Sequence, residues 1–365
     1  MITWFGQVEV KRSYYLCPAC QQGTYPLDEQ LGMRAGSLSK ALQEDAALLG
    51  VHLPFEEGSQ VLERLTPVTL SDNAIRMATE QIGQERATQD RQLVAAAWNP
   101  EGVELPAGPP QPPQRLYGSM DATSTRTEEG WRQPKLGCWY TTSTPPPQAR
   151  LEEWEPEVEE LHYYADLAAA EAFGRLSYVT GCQQGAPQAT ELVFIADGAP
   201  WIWELVELHF PNAVEILDWY HAAEYVWDVA HTFYGPETPQ AEAWANACLD
   251  NLWHGDVEAV LAAFREHQDD AEHADKARKA VAYFTTHRHR MRYPEFRAPG
   301  YHIGSGVIES GCKRVIGARL KQAGMTWTTQ GARQVIKARA MYLSHEWDAF
   351  CEQRAPLRRS YGQAA

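Results

Sequence analysis

The feature that most constrains the fold is an unbroken apolar run, LVFIA, at residues 192–196. Five apolar residues without polar alternation predict a strand that is covered on both faces, as in a parallel sheet. Pro200 lies where a helix would begin, and residues 213–217 form the next strand-like stretch. This strand–helix–strand pattern predicts an α/β fold with a right-handed crossover.

Asp197 directly follows the first of these strands. A carboxylate at that point lies at the carboxyl edge of the sheet, where α/β proteins place their ligands. The alternative is a structural Asp that caps the following helix. Both interpretations stay open at this stage.

Glu309 is a second candidate, in a later helix that follows a glycine-punctuated turn at residues 304–306. At 100° per residue, the apolar residues of this helix form one stripe: Ile308, Cys312, Val315 and Ile316. Glu309 falls between Cys312 and Leu320 on the same helical wheel, so we expect it to point toward the core. A carboxylate turned inward must be paired, protonated or bound to metal. Neutralisation by Lys313, one turn away, is the alternative.

Asp121 is the third candidate and follows the strand-like residues 116–120. A turn Asp is again the alternative. Carboxylates on a first strand, a later parallel strand and a late helix would meet at one edge of a sheet. Hard oxygen ligands of this kind suit Mg²⁺ or Mn²⁺. Two such ions can clamp the attacking and leaving oxygens of a phosphodiester.

A Pro- and Gly-rich linker at residues 99–114 separates two parts of different texture. Before it, residues 36–98 predict helices, and residues 55–82 have the proportions of a helix-turn-helix with Ser71 or Thr69 as the second N-cap. Two helices joined by a turn are common, so this pattern alone is weak support for DNA binding.

After the linker, residues 116–123 and 133–142 predict the first hairpin of a sheet. The acidic run at residues 152–160 predicts a solvated loop or helix face. The later helices are expected at residues 165–178, 221–290 and about 328–343.

The net charge of −16 argues against a nucleic-acid partner. The distribution of charge along the chain partly reverses this conclusion, because residues 287–339 contain eleven Lys and Arg but only two Glu. This asymmetry predicts a local basic surface on an acidic body, and a solvated helical face is the alternative.

The seven Cys are scattered, and an odd number without a secretory signal fits reduced thiols. No apolar run approaches the roughly 20 residues that cross a bilayer. The expected compartment is therefore the cytoplasm, without a membrane partner.

Several strings resemble the ISKra-type insertion-sequence transposases. They are FIADGAPWIW (194–203), FPNA (210–213), ILDWYHA (216–222), ESGCK (309–313) and RLKQAGMTW (319–327). YYLCPAC (14–20) and YPLD (25–28) resemble the zinc-ribbon region of the same family. The resemblance runs through nearly the whole chain.

This resemblance implies a DDE transposase with an RNase H-like catalytic core, a mixed sheet flanked by helices. Its triad would be Asp121, Asp197 and Glu309, the first by a looser match that depends on GWRQPK (130–135) downstream. The implied segments are a partial zinc ribbon (1–35), a helix-turn-helix-like domain (36–98), the linker (99–114), a core (115–218 and 301–345) interrupted by a helical insertion (219–300), and a C-terminal tail (346–365).

Similar enzymes bind two Mg²⁺ or Mn²⁺ ions, cut the transposon ends and join the freed 3′-OH to target DNA. The implied partners are double-stranded DNA, both terminal repeats and target, and further copies of the chain in a dimer or larger assembly. A nucleoid-associated location in a bacterial cytoplasm follows.

The resemblance also suggests which residues contact DNA. The expected phosphate contacts are Lys313, Arg314, Arg319 and Lys321. Trp327 could stack on an unpaired base, but a core Trp is the favoured interpretation. Asp218 and His221 are expected to hold the residues of the sheet edge in place without binding the metal themselves. A His221–Glu224 metal pair is the alternative.

Cys17 and Cys20 supply half of a zinc site. Tetrahedral zinc needs four ligands. In the family, a second Cys pair lies upstream of the pair that matches Cys17 and Cys20, and this sequence has no Cys before Cys17. His52 has no supporting spacing. We therefore expect at most a partial zinc site. Two other functions stay open: a transposase-derived DNA-binding or regulatory protein, and an RNase H-like nuclease that only hydrolyses.

Overall fold

The computed structural model describes residues 1–26, 38–143, 157–270 and 273–354. The N-terminal region begins with two small hairpins, β1 (Ile2–Thr3) with β2 (Gly6–Gln7) and β3 (Tyr15–Leu16) with β4 (Gly23–Thr24). Leu27 and Asp28 of the zinc-ribbon resemblance lie outside the described residues.

Three helices follow: α1 (Lys40–His52), α2 (Phe55–Leu65) and α3 (Asp72–Ala97). Ser71 is the N-cap of α3 and accepts a hydrogen bond from the Ala74 backbone N–H, as expected from its position before the apolar pattern. The helices are where the periodicity predicts them, but α3 continues well past residue 82 and is 26 residues long.

Helix α3 packs against helices at the other end of the chain. A Cβ at Gly83 would come within 1.9 Å of the Gln334 carbonyl oxygen, so the two backbones are in direct contact. The apolar residues of the N-terminal helices share one hydrophobic core with the C-terminal residues Ala338, Met341, Trp347 and Phe350. Residues 40–97 are therefore built into the protein rather than attached to it as a separate module.

The centre of the molecule is a five-stranded mixed sheet. Its strands are β5 (Arg115–Ala122), β8 (Lys135–Thr142), β9 (Val158–Asp166), β10 (Glu191–Ala196) and β11 (Val214–Leu217). They lie in the order β11-β10-β5-β8-β9. Strands β5, β10 and β11 are parallel to one another, β8 is antiparallel to β5, and β9 is antiparallel to β8. The α/β class and the first hairpin are confirmed.

Between β5 and β8 lies a small hairpin of β6 (Thr125–Thr127) and β7 (Gly130–Arg132). Strand β9 was not predicted. It occupies the end of the acidic run and the start of the helix expected at residues 165–178, and the observed helix α4 begins later (Ala170–Gln183). Residues 144–156, with most of that acidic run, lie outside the described residues.

The crossover from β10 to β11 is helix α5 (Pro200–His209), with Pro200 in its first turn. After β11, four helices form the expected insertion: α6 (Trp219–Tyr234), α7 (Pro239–Trp253), α8 (Val257–Arg265) and α9 (Ala274–His287). Their apolar faces join the core of the sheet through Val226, Leu252, Phe264 and Phe284.

The chain then passes a 3-10 turn (Arg288–Arg290) and helix α10 (Tyr293–Arg297), and returns to the sheet. Helix α11 (Gly306–Gly311) carries Glu309 and runs into a π-helical segment (Cys312–Gly317) and a short α12 (Ala318–Leu320). Helix α13 (Thr329–Leu343) lies where a helix was predicted, and its N-cap is Thr328. The expected tail begins with helix α14 (Trp347–Gln353), which is packed in the N-terminal core. Among the described helices, none is long and apolar enough to cross a membrane.

Candidate functional site

Asp121 and Asp197 lie side by side at the carboxyl ends of β5 and β10. The strands are parallel, and Phe194 pairs with Gly118. Each Asp lies three residues beyond its strand's member of that pair, so both reach the same level of the sheet. Neighbouring strands are about 4.8 Å apart, which places the two carboxylates next to each other.

Asp218 extends this row onto β11. The last residue pair between β10 and β11 directly precedes Asp197 and Asp218. Asp218 is only 2% exposed, and its side chain caps helix α6 by accepting from the backbone N–H groups of Tyr220 and His221.

Helix α11 brings Glu309 to the same edge. Ser305 Oγ lies 2.9 Å from Asp218 Oδ2 and 3.3 Å from Glu309 Oε1. At the other end of the helix, Cys312 Sγ lies 3.3 Å from Asp121 Oδ2. We call Asp121, Asp197, Asp218 and Glu309 the acidic edge.

The expected inward direction of Glu309 is wrong, because its side chain is exposed while Ile308, Gly311 and Cys312 are buried. The wheel that placed Glu309 beside Leu320 assumed 100° per residue throughout. The π-helical segment Cys312–Gly317 has a wider turn, so residues beyond it no longer follow that wheel. Glu309 lies at the margin of the buried face, open to solvent.

Among the described residues, no cation is paired with the charges of the acidic edge. Burial raises the pKa of Asp121, and the negative charges of Asp197 and Glu309 raise it further. Burial also raises the pKa of Asp218, with a contribution from Glu309. In the described part of the chain no Lys or Arg forms an ion pair with any of the four, so Lys313 does not neutralise Glu309.

The donor set fits a hard divalent cation in chemical type, since it consists of carboxylate oxygens. The spacing is not that of a formed ion site: across the described residues, no three His, Cys, Asp or Glu are grouped closely enough to hold one ion. Asp121, Asp197 and Asp218 instead accept hydrogen bonds from protein donors.

The backbone at Asp197 is fixed by close contacts. The Trp203 indole N–H donates to the Asp197 carbonyl at 2.8 Å. A Cβ at Gly198 would come within 2.1 Å of the Tyr283 ring, so only glycine fits after this Asp. Tyr283 belongs to the helical insertion and was not predicted, because no sequence pattern connects residue 283 with residue 198.

His221 is next to Asp218 through its backbone rather than its ring. The His221 Nδ1 lies 3.5 Å from Glu224 Oε2, and the ring lies against Tyr225 and Tyr283. Its imidazole therefore supports the aromatic contacts behind Asp197.

Two of the expected DNA contacts are internal. Arg319 is fully buried, donates to the Gly50 carbonyl at 2.8 Å, and lies over the rings of Phe55 and Trp327. Burial lowers the pKa of Arg319 to about 10. Trp327 is 7% exposed and meets Phe55 edge-on. The expected DNA contact of Arg319 is corrected, and Trp327 takes the core position that was favoured for it, because packing between these side chains occupies the surfaces that would meet DNA.

Lys313, Arg314 and Lys321 are exposed. Lys321 Nζ hydrogen-bonds Thr123 Oγ1, two residues beyond Asp121. The wider basic surface expected from residues 287–339 is smaller than predicted, because Arg290, Arg319, Lys337 and Arg339 are buried.

Cys17 and Cys20 lie at the turn of the β3–β4 hairpin, and both are exposed. Backbone N–H groups of Cys20 and Ala19 lower the pKa of Cys17. As no group of three metal-ligating side chains occurs among the described residues, no third ligand accompanies this pair there.

Sequence reasoning missed Ser305 and Cys312 as site residues. The turn at residues 304–306 was noticed for its glycines, and Cys312 was assigned to the apolar stripe. A polar residue directly before a helix was the available signal for Ser305.

Comparison with known proteins gives a family but no activity. A search of curated proteins finds no match. One family model matches residues 1–97 and 178–349, which include Asp197, Asp218 and Glu309 but not Asp121. The chain belongs to this family, described as Uncharacterised protein family (UPF0236).

Proposed function

We propose that the chain is a DDE-type transposase with an RNase H-like core, similar to the ISKra-type enzymes. The observation that carries this proposal is the acidic edge: carboxylates at the ends of three neighbouring parallel strands, with a helix bearing Glu309 across them. In the part of the chain that the structure describes, no Lys or Arg forms an ion pair with these acids. An arrangement of acids without counterions is suited to an external cation.

The order of elements supports the same proposal. A mixed sheet flanked by helices, with Asp residues at its carboxyl edge and a helical insertion before the Glu, is the organisation that the sequence resemblance implies. The motifs around Asp197 and Glu309 carry that resemblance most strongly.

Asp121, Asp197 and Glu309 would hold the divalent cations, which supply charge stabilisation for the attacking and leaving oxygens of a phosphodiester. Asp218 would position the helix that carries Glu309. The exposed cations Lys313, Arg314 and Lys321 flank this helix and would contact DNA phosphates.

The test is strand cleavage and strand transfer on a duplex that carries the terminal repeats flanking the gene, with Mg²⁺ or Mn²⁺ present. We expect Asp121→Asn, Asp197→Asn and Glu309→Gln to abolish both steps. Asp250→Asn is the matched control, because Asp250 is an exposed acid of the insertion, and it should retain activity.

The other outcomes separate the alternative functions. Hydrolysis without joining would indicate a nuclease of the same fold. DNA binding without metal-dependent cleavage would indicate a transposase-derived regulatory protein. Full activity in Asp197→Asn would refute the assignment of the site.

A further inference from the structure

The helix that carries Glu309 is fastened at both of its ends. Ser305, just before α11, donates its backbone N–H and its hydroxyl to Asp218, at 3.1 Å and 2.9 Å. Cys312, just after α11, donates its thiol to Asp121 at 3.3 Å. The two anchors reach different strands, since Asp218 follows β11 and Asp121 belongs to β5.

The spacing of these anchors determines what lies between them. Cys312 lies seven positions after Ser305, which is about 10 Å along a helix at 1.5 Å per residue. Strands β11 and β5 are two strand spacings apart, which is also about 10 Å. Glu309 is four residues, about 6 Å, from Ser305. It therefore lies over the middle strand, β10, which ends in Asp197.

Close packing keeps the helix at this distance. A Cβ at Gly311 would come within 2.6 Å of the Tyr163 ring and 2.9 Å of Leu136. A Cβ at Gly304 would come within 2.8 Å of the Tyr220 ring. With glycine at both positions, the segment lies directly on the sheet and on the start of helix α6.

The four carboxylates differ in how many acceptor sites they have left. An ionised carboxylate offers about four lone-pair sites, two on each oxygen. On Asp218, Oδ1 accepts from the backbone N–H groups of Ser305 and Tyr220, and Oδ2 accepts from the Ser305 hydroxyl and the His221 N–H. Asp218 is thus saturated by protein donors and has no capacity for a cation.

The other three carboxylates have open acceptor sites. Asp121 accepts one hydrogen bond on each oxygen, from the Ala122 N–H and the Cys312 thiol. Asp197 accepts one, from the Ala199 N–H. Glu309 lies 3.3 Å from the Ser305 hydroxyl. That hydroxyl has a single proton, and it donates this proton to Asp218, which is nearer at 2.9 Å.

We propose that Ser305 and Cys312 are positioning residues that fix Glu309 over Asp197, with Asp218 as the fixed anchor point rather than a cation ligand. This inference rests on the proposed function. Outer-shell donors of this kind orient the ligands of a metal site, and their loss usually weakens metal affinity about 10- to 100-fold.

The experiment measures Mn²⁺ affinity of the whole chain by electron paramagnetic resonance of free Mn²⁺, without DNA. We expect Ser305→Ala and Cys312→Ala to weaken Mn²⁺ binding about tenfold or more. Ser305→Thr and Cys312→Ser keep a donor and should stay within about threefold of the unmodified chain. This rescue separates positioning from packing, because both conservative variants change the packing volume.

Cys248→Ala is the matched control, since Cys248 is a buried Cys of helix α7 remote in sequence from the acidic edge. It should leave Mn²⁺ affinity unchanged. Equal Mn²⁺ affinity in Ser305→Ala, Cys312→Ala and the unmodified chain would overturn the positioning roles while leaving the proposed function in place. Absence of Mn²⁺ binding by the unmodified chain would overturn both.

Discussion

Two groups of acids in this protein are built in opposite ways. The acidic edge has four carboxylates and, among the described residues, no ion pair to any of them. The second group, which we call the ionic core, lies where α3, β9 and α13 meet and consists of Asp90, Asp166, Arg86, Arg333 and Lys337. In the ionic core, Lys337 Nζ lies 2.6 Å from Asp90 and 3.0 Å from Asp166.

The pKa directions follow from this difference. Burial opposes ionisation in both groups. Lys337 and Arg86 outweigh that effect at Asp90, and Lys337 and Arg333 do so at Asp166, so both pKa values are lowered. At Asp121 and Asp218 burial is not compensated, and both pKa values are raised. Acids with internal counterions hold the fold together, whereas acids without them are suited to a cation from outside.

The largest expected effect on stability is in the ionic core. Lys337→Met leaves Asp90 and Asp166 facing each other without their shared cation, and we expect a loss of about 3–5 kcal/mol in the free energy of unfolding. Urea unfolding followed by circular dichroism measures it. A loss below about 1 kcal/mol would mean that the pairing between α3 and α13 contributes little.

A matched pair of substitutions should have opposite signs. Asp90→Asn breaks ion pairs to two cations, Arg86 at 2.9 Å and Lys337 at 2.6 Å, and should destabilise the protein by about 3 kcal/mol. Asp121→Asn removes a carboxylate that is buried and repelled by Asp197 and Glu309, and should raise the free energy of unfolding, because an ionised group with a raised pKa destabilises the folded state. Both are compared by urea unfolding in a metal-free buffer with chelator. Destabilisation by both variants to the same extent would erase the distinction between the two groups.

The smallest effect is expected at the rim of the ionic core. Arg333 pairs with Asp166 at 2.6 Å, but the Arg333 side chain is 36% exposed. In a variant without Arg333, Lys337 still neutralises Asp166. Arg333→Gln should cost about 0.5 kcal/mol, and less at high salt. A cost as large as that of Lys337→Met would show that Arg333 contributes as much as Lys337 to the ionic core.

Much of the fold is predictable from local patterns. The apolar run before Asp197, the first hairpin, the insertion helices and the helix at residues 329–343 all depend on residues that are near each other in the chain. Strand β9 was missed because its first three residues are exposed and two of them are Glu, which is typical of a solvated segment. Its buried half pairs with β8, and that pairing is not visible in the local sequence.

The candidate site was predictable in its acids but not in its surroundings. Asp197 could be placed because a strand end is a local signal. Arg319 and Lys337 looked like surface cations, but their partners, Gly50 and Asp90, lie more than 240 residues away. The direction of Glu309 depended on the π-helical segment after it, which the apolar spacing does not reveal.

The central claim is that the acidic edge binds a divalent cation through Asp121, Asp197 and Glu309. The most direct test is a Mn²⁺ titration of the unmodified chain and of Asp197→Asn, with Asp250→Asn as the control, followed by electron paramagnetic resonance of free Mn²⁺. We predict saturable binding by the unmodified chain and by Asp250→Asn, and a dissociation constant raised at least about tenfold in Asp197→Asn. Binding that is equal in all three proteins, or absent from the unmodified chain, would contradict the claim.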